Sequence, residues 1–230
     1  MSAEFCNFVA ENMENVMNKK FEAALFDLDG VILDTEGQYG KFWGSIGREY
    51  RPDVPDMAQR IKGQTLRQIF DAWITDTDDQ EVITQRLDQF EADMDYPYIK
   101  GIQAYAQRLR REGVKSAIVT SSNHAKMESV YRKRPELKAY FDCILTSEDF
   151  TESKPSPQCY LRAAEVLGVP IEKCVVFEDS INGLRSGRAS GAYVVGLATT
   201  NPREVIIPLC DKVIDDFACL ATQTMPEENP

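Results

Sequence analysis

Four short apolar runs, each breaking off into a polar loop, constrain this chain more than any other feature of its sequence. Ala23-Ala24-Leu25-Phe26 ends in Asp27-Leu28-Asp29-Gly30, and Ser116-Ala117-Ile118-Val119 ends in Thr120-Ser121-Ser122-Asn123. Cys174-Val175-Val176-Phe177 ends in Glu178-Asp179-Ser180, and Tyr193-Val194-Val195-Gly196 ends in a further loop. A continuous apolar run of this length suits a strand covered on both faces, as in a parallel sheet. Weaker runs at Cys143–Leu145 and Lys212–Ile214 extend the set. Between the runs lie helical patterns with stop signals. Ile102, Ala106 and Leu109 precede Gly113; Tyr160, Ala163, Ala164 and Leu167 precede Gly168-Val169-Pro170; and 182–189 precedes Gly191. Strand and helix in alternation predict an α/β fold, a Rossmann-like open parallel sheet with helices on both faces.

One region breaks the alternation. Residues 36–98 read as helices only, with stripes at Phe42, Trp43 and Ile46, at Leu66, Ile69, Phe70 and Trp73, and at Val82, Ile83, Leu87, Phe90 and Met94. This block is expected to form an inserted all-helical cap domain, 36–98, with the α/β core formed by 21–35 and 99–225. Ahead of it, 1–20 is expected to be a helical extension, because Phe5, Phe8, Val9, Met13, Val16 and Met17 recur at helical spacing. The last residues, Pro226–Pro230, are expected to fray.

Composition narrows the function. With a formal net charge of -11 and no basic run, the surface repels nucleic acid and anionic membranes. No stretch reaches the ~20 apolar residues of a membrane span, and the first residues lack a signal-peptide pattern. A cytoplasmic protein, monomeric or weakly homodimeric, is the expectation. The six cysteines form no CxxC pair and read as reduced thiols, while a single histidine, His124, argues against a zinc site built on several His ligands.

In an open α/β sheet, ligands bind beyond the carboxyl ends of the strands. The loops there carry Asp27 and Asp29, Thr120 and Ser121, Lys154, and Glu178 and Asp179. Carboxylates crowded together repel one another, and a hard divalent cation relieves this. Mg2+ takes a few carboxylates, keeps waters and leaves room for a phosphate oxygen. Asp27 and Asp179 are the expected direct ligands, Asp29 lends its backbone carbonyl, and Glu178 acts through water. Asp27 is then the nucleophile toward phosphorus, and Asp29 the acid for the leaving oxygen and the base for water. The Thr120 hydroxyl and Ser121 amide grip phosphoryl oxygens, and Lys154 holds Asp27 and the transferring group. On the helical block, Lys62 and Arg67 are the candidates for reading the substrate. Each loop also has a plainer reading: 120–123 and 178–180 suit helix caps, and Lys62 and Arg67 suit a solvated face.

Phe26-Asp27-Leu28-Asp29-Gly30-Val31 resembles the first signature of the haloacid dehalogenase superfamily of phosphotransferases. Thr120 is similar to the second, Lys154-Pro155-Ser156-Pro157 to the third, and Glu178-Asp179-Ser180 with Gly183 to the fourth, in the family's order and spacing. The resemblance is nearest to the β-phosphoglucomutase-like phosphatases. It implies a magnesium-dependent phosphatase acting on a small organic phosphate ester, such as a sugar phosphate, through an aspartyl-phosphate, with a cap closing over the substrate. A phosphosugar mutase is the alternative. However, Tyr39 stands where those enzymes carry a histidine, and Leu66 where they carry an arginine for the second phosphate. A non-catalytic phosphate-binding module is a third reading, which needs no nucleophile and acid pair.

Overall fold

Every expected strand is present in the computed structural model, which describes residues 21–222. The helical extension expected for 1–20 and the tail at 226–230 lie outside the described residues. Strand β1 is Ala23–Phe26, and the chain then leaves for four helices: α1 at Glu36–Tyr50, α2 at Met57–Arg60, α3 at Leu66–Trp73 and α4 at Thr77–Asp93. It returns through α5 at Ile102–Arg111, β2 at Lys115–Val119, α6 at His124–Lys133, β3 at Cys143–Leu145 and α7 at Gln158–Leu167. It closes with β4 at Cys174–Glu178, α8 at Ile181–Ser190, β5 at Tyr193–Leu197, α9 at Arg203–Ile206, β6 at Lys212–Ile214 and α10 at Ala218–Thr222.

The six strands form one sheet in the order β3-β2-β1-β4-β5-β6, and every pairing is parallel. Both faces are covered, which is why the strands carry unbroken apolar runs. Ala24 and Phe26 point into a core with Tyr105, Met127 and Phe217, while Ala23 and Leu25 point into one with Tyr160, Ala163 and Leu184. Phe26 and Phe177 stack across β1 and β4 with ring centroids 4.7 Å apart. Full burial of such a ring contributes about 1.5–3 kcal/mol. The strand order reverses direction at β1, so loops diverge between β1 and β4 and leave a crevice at their carboxyl ends.

Helices α1 to α4 have a core of their own, built from Trp43, Ile46, Met57, Ile61, Ile69, Ile74, Ile83 and Leu87. The third expected stripe is corrected at both ends. Val82 is exposed, and Met94 packs into the sheet's core instead. Only the turns that face a neighbour can bury their side chains, and α4 turns Val82 to water. The two crossings of the chain into and out of this block run side by side: Asp34 N–H donates to Pro97 O at 2.8 Å and Ile99 N–H to Ile32 O at 2.9 Å. The block sits against the sheet's carboxyl edge. Gln68 Nε2 donates to Lys154 O at 3.4 Å, and Asn182 Nδ2 to Lys62 O at 3.3 Å. Among the described residues no helix is long and apolar enough to cross a membrane.

Candidate active site

The ends of β1, β2 and β4 line one cavity of about 600 Å3 between the sheet and the helical block, with Asp27, Asp29 and Asp179 in its wall and Lys154 buried behind Asp27. Lys154 is the pivot. It is 1% exposed, and its ammonium donates to Asp27 Oδ1 at 2.5 Å, Glu178 Oε1 at 2.7 Å and Val119 O at 3.1 Å. Burial works against its charge, but Asp27 and then Glu178 outweigh it and hold the ammonium well above the ordinary lysine range. A buried cation between two carboxylates orients both, because neither can turn away without stranding a charge.

Asp27 follows β1, and its backbone N–H is tied to Phe177 O at 3.0 Å, which fixes the strand end beside β4. Its carboxyl stands raised to about 7: burial raises it most, Lys154 pulls it down, and Glu178 and Asp29 add to the rise. Asp179 begins the loop after β4. Its carboxyl is driven well above the usual range by burial first, then by Glu178, Glu36 and Asp27. Both of its carboxylate oxygens are buried without a hydrogen bond of ordinary geometry, and the Thr200 hydroxyl beside them works against the rise. Oxygens of Asp27, Glu178 and Asp179 lie within 4.8 Å of one another. Orphaned oxygens on a buried acid are costly unless a cation meets them. This donor set, all oxygen and partly unsatisfied, fits a hard divalent ion.

Glu178 is the exception within the cluster. Its Oε1 accepts from Lys154 and from Tyr160 OH at 2.9 Å. Its Oε2 accepts from the N–H groups of Asp179 and Ser180 and from Ser180 Oγ. With its lone pairs occupied, its geometry suits bracing Lys154 and the Asp179 loop rather than direct ligation. Gly183 makes the fit possible, because a Cβ there would overlap the Glu178 carboxylate. Gly183→Ala should therefore destabilise by about 1–3 kcal/mol through overpacking. Helix propensity alone would favour alanine by about 1 kcal/mol. Urea unfolding reads the sign, and a stabilised variant would contradict this packing.

Gly30 closes the loop after Asp29 with φ of +77°, and a Cβ there would strike the Asp179 carboxylate. Asp29 itself is pinned by side chains. Thr35 Oγ1 donates to its Oδ1 at 2.5 Å, Ser122 Oγ to its Oδ2 at 3.3 Å, and Lys126 Nζ contacts the same Oδ2. Thr120 lies buried at the end of β2, with its hydroxyl engaged by Ser122. Ser121 Oγ is buried and unpartnered in the cavity wall. That hydroxyl is therefore a donor in hand beside the amide expected to grip phosphate. Asn123 also caps α6, accepting from Lys126 N–H at 2.9 Å.

On the helical block, Lys62 lines the cavity and pairs with Glu36 at 3.4 Å. Arg67 stands apart: at the cavity rim its side chain is 91% exposed and pairs with Asp71. Tyr160, Thr35 and Lys126 were not among the expected site residues. Tyr160 sits in an apolar helix stripe, where only the rule that a buried phenol seeks a partner hints at Glu178. Lys126 shows no sequence signal, because its partners are remote in the chain.

The family model of haloacid dehalogenase-like hydrolases matches residues 21–191. A phosphorylated carbohydrates phosphatase of Thermotoga maritima is 30% identical over 178 residues, covering 74% of this chain and 82% of the relative. A bifunctional riboflavin kinase/FMN phosphatase of Arabidopsis thaliana is 28% identical over 227 residues. That match covers 90% of this chain and 56% of the relative, so the chain spans little more than half of that protein. The crystal structure of a haloacid dehalogenase hydrolase, family IA, variant 3, from Entamoeba histolytica is similar with a TM-score of 0.73 and 26% identity, covering 85% of this chain and 93% of that one.

Proposed function

Because this chain belongs to the haloacid dehalogenase-like hydrolase family, we propose that it is a phosphoric monoester hydrolase that cleaves a small organic phosphate through an aspartyl-phosphate on Asp27, with Mg2+ as cofactor. The observation that carries this reading is the bridge from Asp27 through Lys154 to Glu178, set beside the unpartnered Asp179 carboxylate. Non-catalytic binding of phosphate would not need an acid held this way. The cation, held by Asp27, Asp179 and the Asp29 carbonyl, would supply charge neutralisation for the phosphoryl group.

With Oδ1 held by Lys154, Asp27 Oδ2 is the attacking atom. It forms a bond to phosphorus as the bond to the leaving oxygen breaks, and Asp29 gives that oxygen its proton. Water then attacks the phosphorus of the aspartyl-phosphate, Asp29 takes the water's proton, and phosphate leaves with the Asp27 carboxylate restored. Ser121 and Lys154 face the charge that builds on the phosphoryl oxygens, in a cavity the helical block screens from water. A mutase would need a cation on the block for a second phosphate. Leu66 offers none, Arg67 is turned to solvent, and Lys62, the lysine of the block that lines the cavity, is already engaged by Glu36 at 3.4 Å.

A panel of phosphate esters, assayed for released phosphate with Mg2+ and with chelator, tests the reading. Release that depends on Mg2+ is expected. Conversion of a sugar 1-phosphate to its 6-phosphate with no phosphate freed would overturn it.

The cation reading also sets a pH dependence. A carboxyl raised in the folded state stabilises the fold fully below its unfolded value of 3.8 and loses that stabilisation as pH rises through about 7. Metal-free protein should therefore melt at lower temperature near about pH 8 than near about pH 6, and Mg2+ should raise the melting point more at the higher pH. Equal Mg2+ shifts at both values would count against Asp27 and Asp179 as the ligands.

A further inference from the structure

Lys126 is a buried cation outside the residues given a role above. It projects from α6 and is 5% exposed. Its ammonium contacts Asp29 Oδ2 on one side. On the other it lies 4.6 Å from the centroid of the Tyr39 ring on α1. The Tyr39 hydroxyl in turn donates to Glu91 Oε1 on α4 at 2.8 Å. Glu91 is buried, and its backbone carbonyl accepts from Tyr96 OH at 2.7 Å. Lys126 thus belongs to the sheet domain, while the groups that brace it from above belong to the helical block.

Three physical points follow. A cation this buried needs acids around it: Lys126 touches Asp29, and it also acts on the buried carboxyls of Glu91 and Glu36, so its charge does not depend on Asp29 being ionised. An ammonium over an aromatic face is attracted by the ring, more strongly when desolvated, which ties its position to Tyr39. The other side chains on the Asp29 carboxyl, Thr35 and Ser122, offer neutral hydroxyls, so Lys126 is the cation that meets it.

We propose that Lys126 is a positioning residue for Asp29. Its ammonium sets the direction of the Asp29 carboxyl and stabilises the carboxylate that remains once the proton has passed to the leaving oxygen. The Tyr39 ring and the Tyr39–Glu91 pair make that setting depend on the helical block being in place. The assignment rests on the proposed role of Asp29 as proton donor and acceptor.

A double-mutant cycle tests it, with Lys126→Met, Asp29→Asn and the pair, each checked for folding by circular dichroism. Lys126→Met should lower kcat/KM for an alkyl ester such as glycerol 2-phosphate by about 10- to 100-fold. It should lower kcat/KM for p-nitrophenyl phosphate much less, since that leaving group needs little proton. In the Asp29→Asn background the same change should leave the rate of Asp27 phosphorylation nearly unchanged, because the group Lys126 acts through is gone. Lys126→Arg should recover part of the alkyl-ester rate. An equal loss with both esters, or the same loss in the Asp29→Asn background, would mean that Lys126 touches the substrate itself and would overturn the proposal. A crystal structure of Lys126→Met answers without turnover: Asp29 swung away from Thr35 supports the assignment, and Asp29 unmoved overturns it. If instead wild type frees no phosphate from any ester, it is the phosphatase reading that fails, and this structural result still decides the positioning role.

Discussion

Asp27→Asn should abolish phosphate release while leaving the fold standing. The amide cannot attack phosphorus as a carboxylate does, and the rest of the site still holds the substrate. Loss of a covalent nucleophile of this kind costs roughly 10^4-fold or more in kcat. The fold should survive because the variant removes a charge that burial already opposes. Asp27 is raised to about 7 chiefly by burial, so its ionised form destabilises the metal-free protein as pH rises from 3.8 through about 7. Asparagine escapes that loss and keeps an oxygen for Lys154, which also retains Glu178 at 2.7 Å. In chelator at about pH 8, the variant should melt no lower than wild type and gain on it relative to about pH 5. Phosphate release and thermal melting measure the two halves. Turnover within about tenfold of wild type would remove Asp27 from the covalent role.

Lys154→Met should do the opposite to stability. It leaves Asp27 and Glu178 facing each other in the interior with no cation between them, and Glu178 is completely buried. Breaking a buried pair by deleting one partner costs about 3–5 kcal/mol. In a chain of 230 residues this is a fall of roughly 6–20 °C in melting temperature. The deficit should shrink in acid, because Lys154 is the group that pulls the Asp27 carboxyl down. Without it the two acids protonate more readily, and protonated acids need no cation. Activity should fall with stability, since Lys154 holds the Oδ1 of Asp27, the proposed nucleophile. A melting point equal to wild type at neutral pH would show that the site tolerates bare carboxylates. The bridge would then not carry the argument built on it.

The strands were legible because parallel strands covered on both faces leave a simple trace. Ala23–Phe26, Cys143–Leu145 and Lys212–Ile214 have the bounds that their apolar runs suggest. Helix ends at Gly113, Gly168 and Gly191 were legible because each takes a positive φ that stops the helix. The polar loops were legible as a group because strand ends in such a sheet share one edge. Stripe edges were less so. Val82 and Met94 fit the period, but their fate depends on which neighbour α4 meets.

Asp27, Asp29, Lys154, Glu178 and Asp179 are written in the chain as polar residues placed in the loops of an alternating α/β pattern, and the apolar runs of that pattern dictate the sheet that gathers them. Their division of labour is not written there. The chain lists Glu178 and Asp179 as neighbouring acids, whereas packing saturates one with donors and leaves the other's oxygens bare. It lists Lys126 as one lysine on a helix, whereas the approach of the helical block sets it between Asp29 and Tyr39. The reason is physical: an acid's or a cation's role follows from burial and partners, and both are properties of contacts between segments remote in sequence.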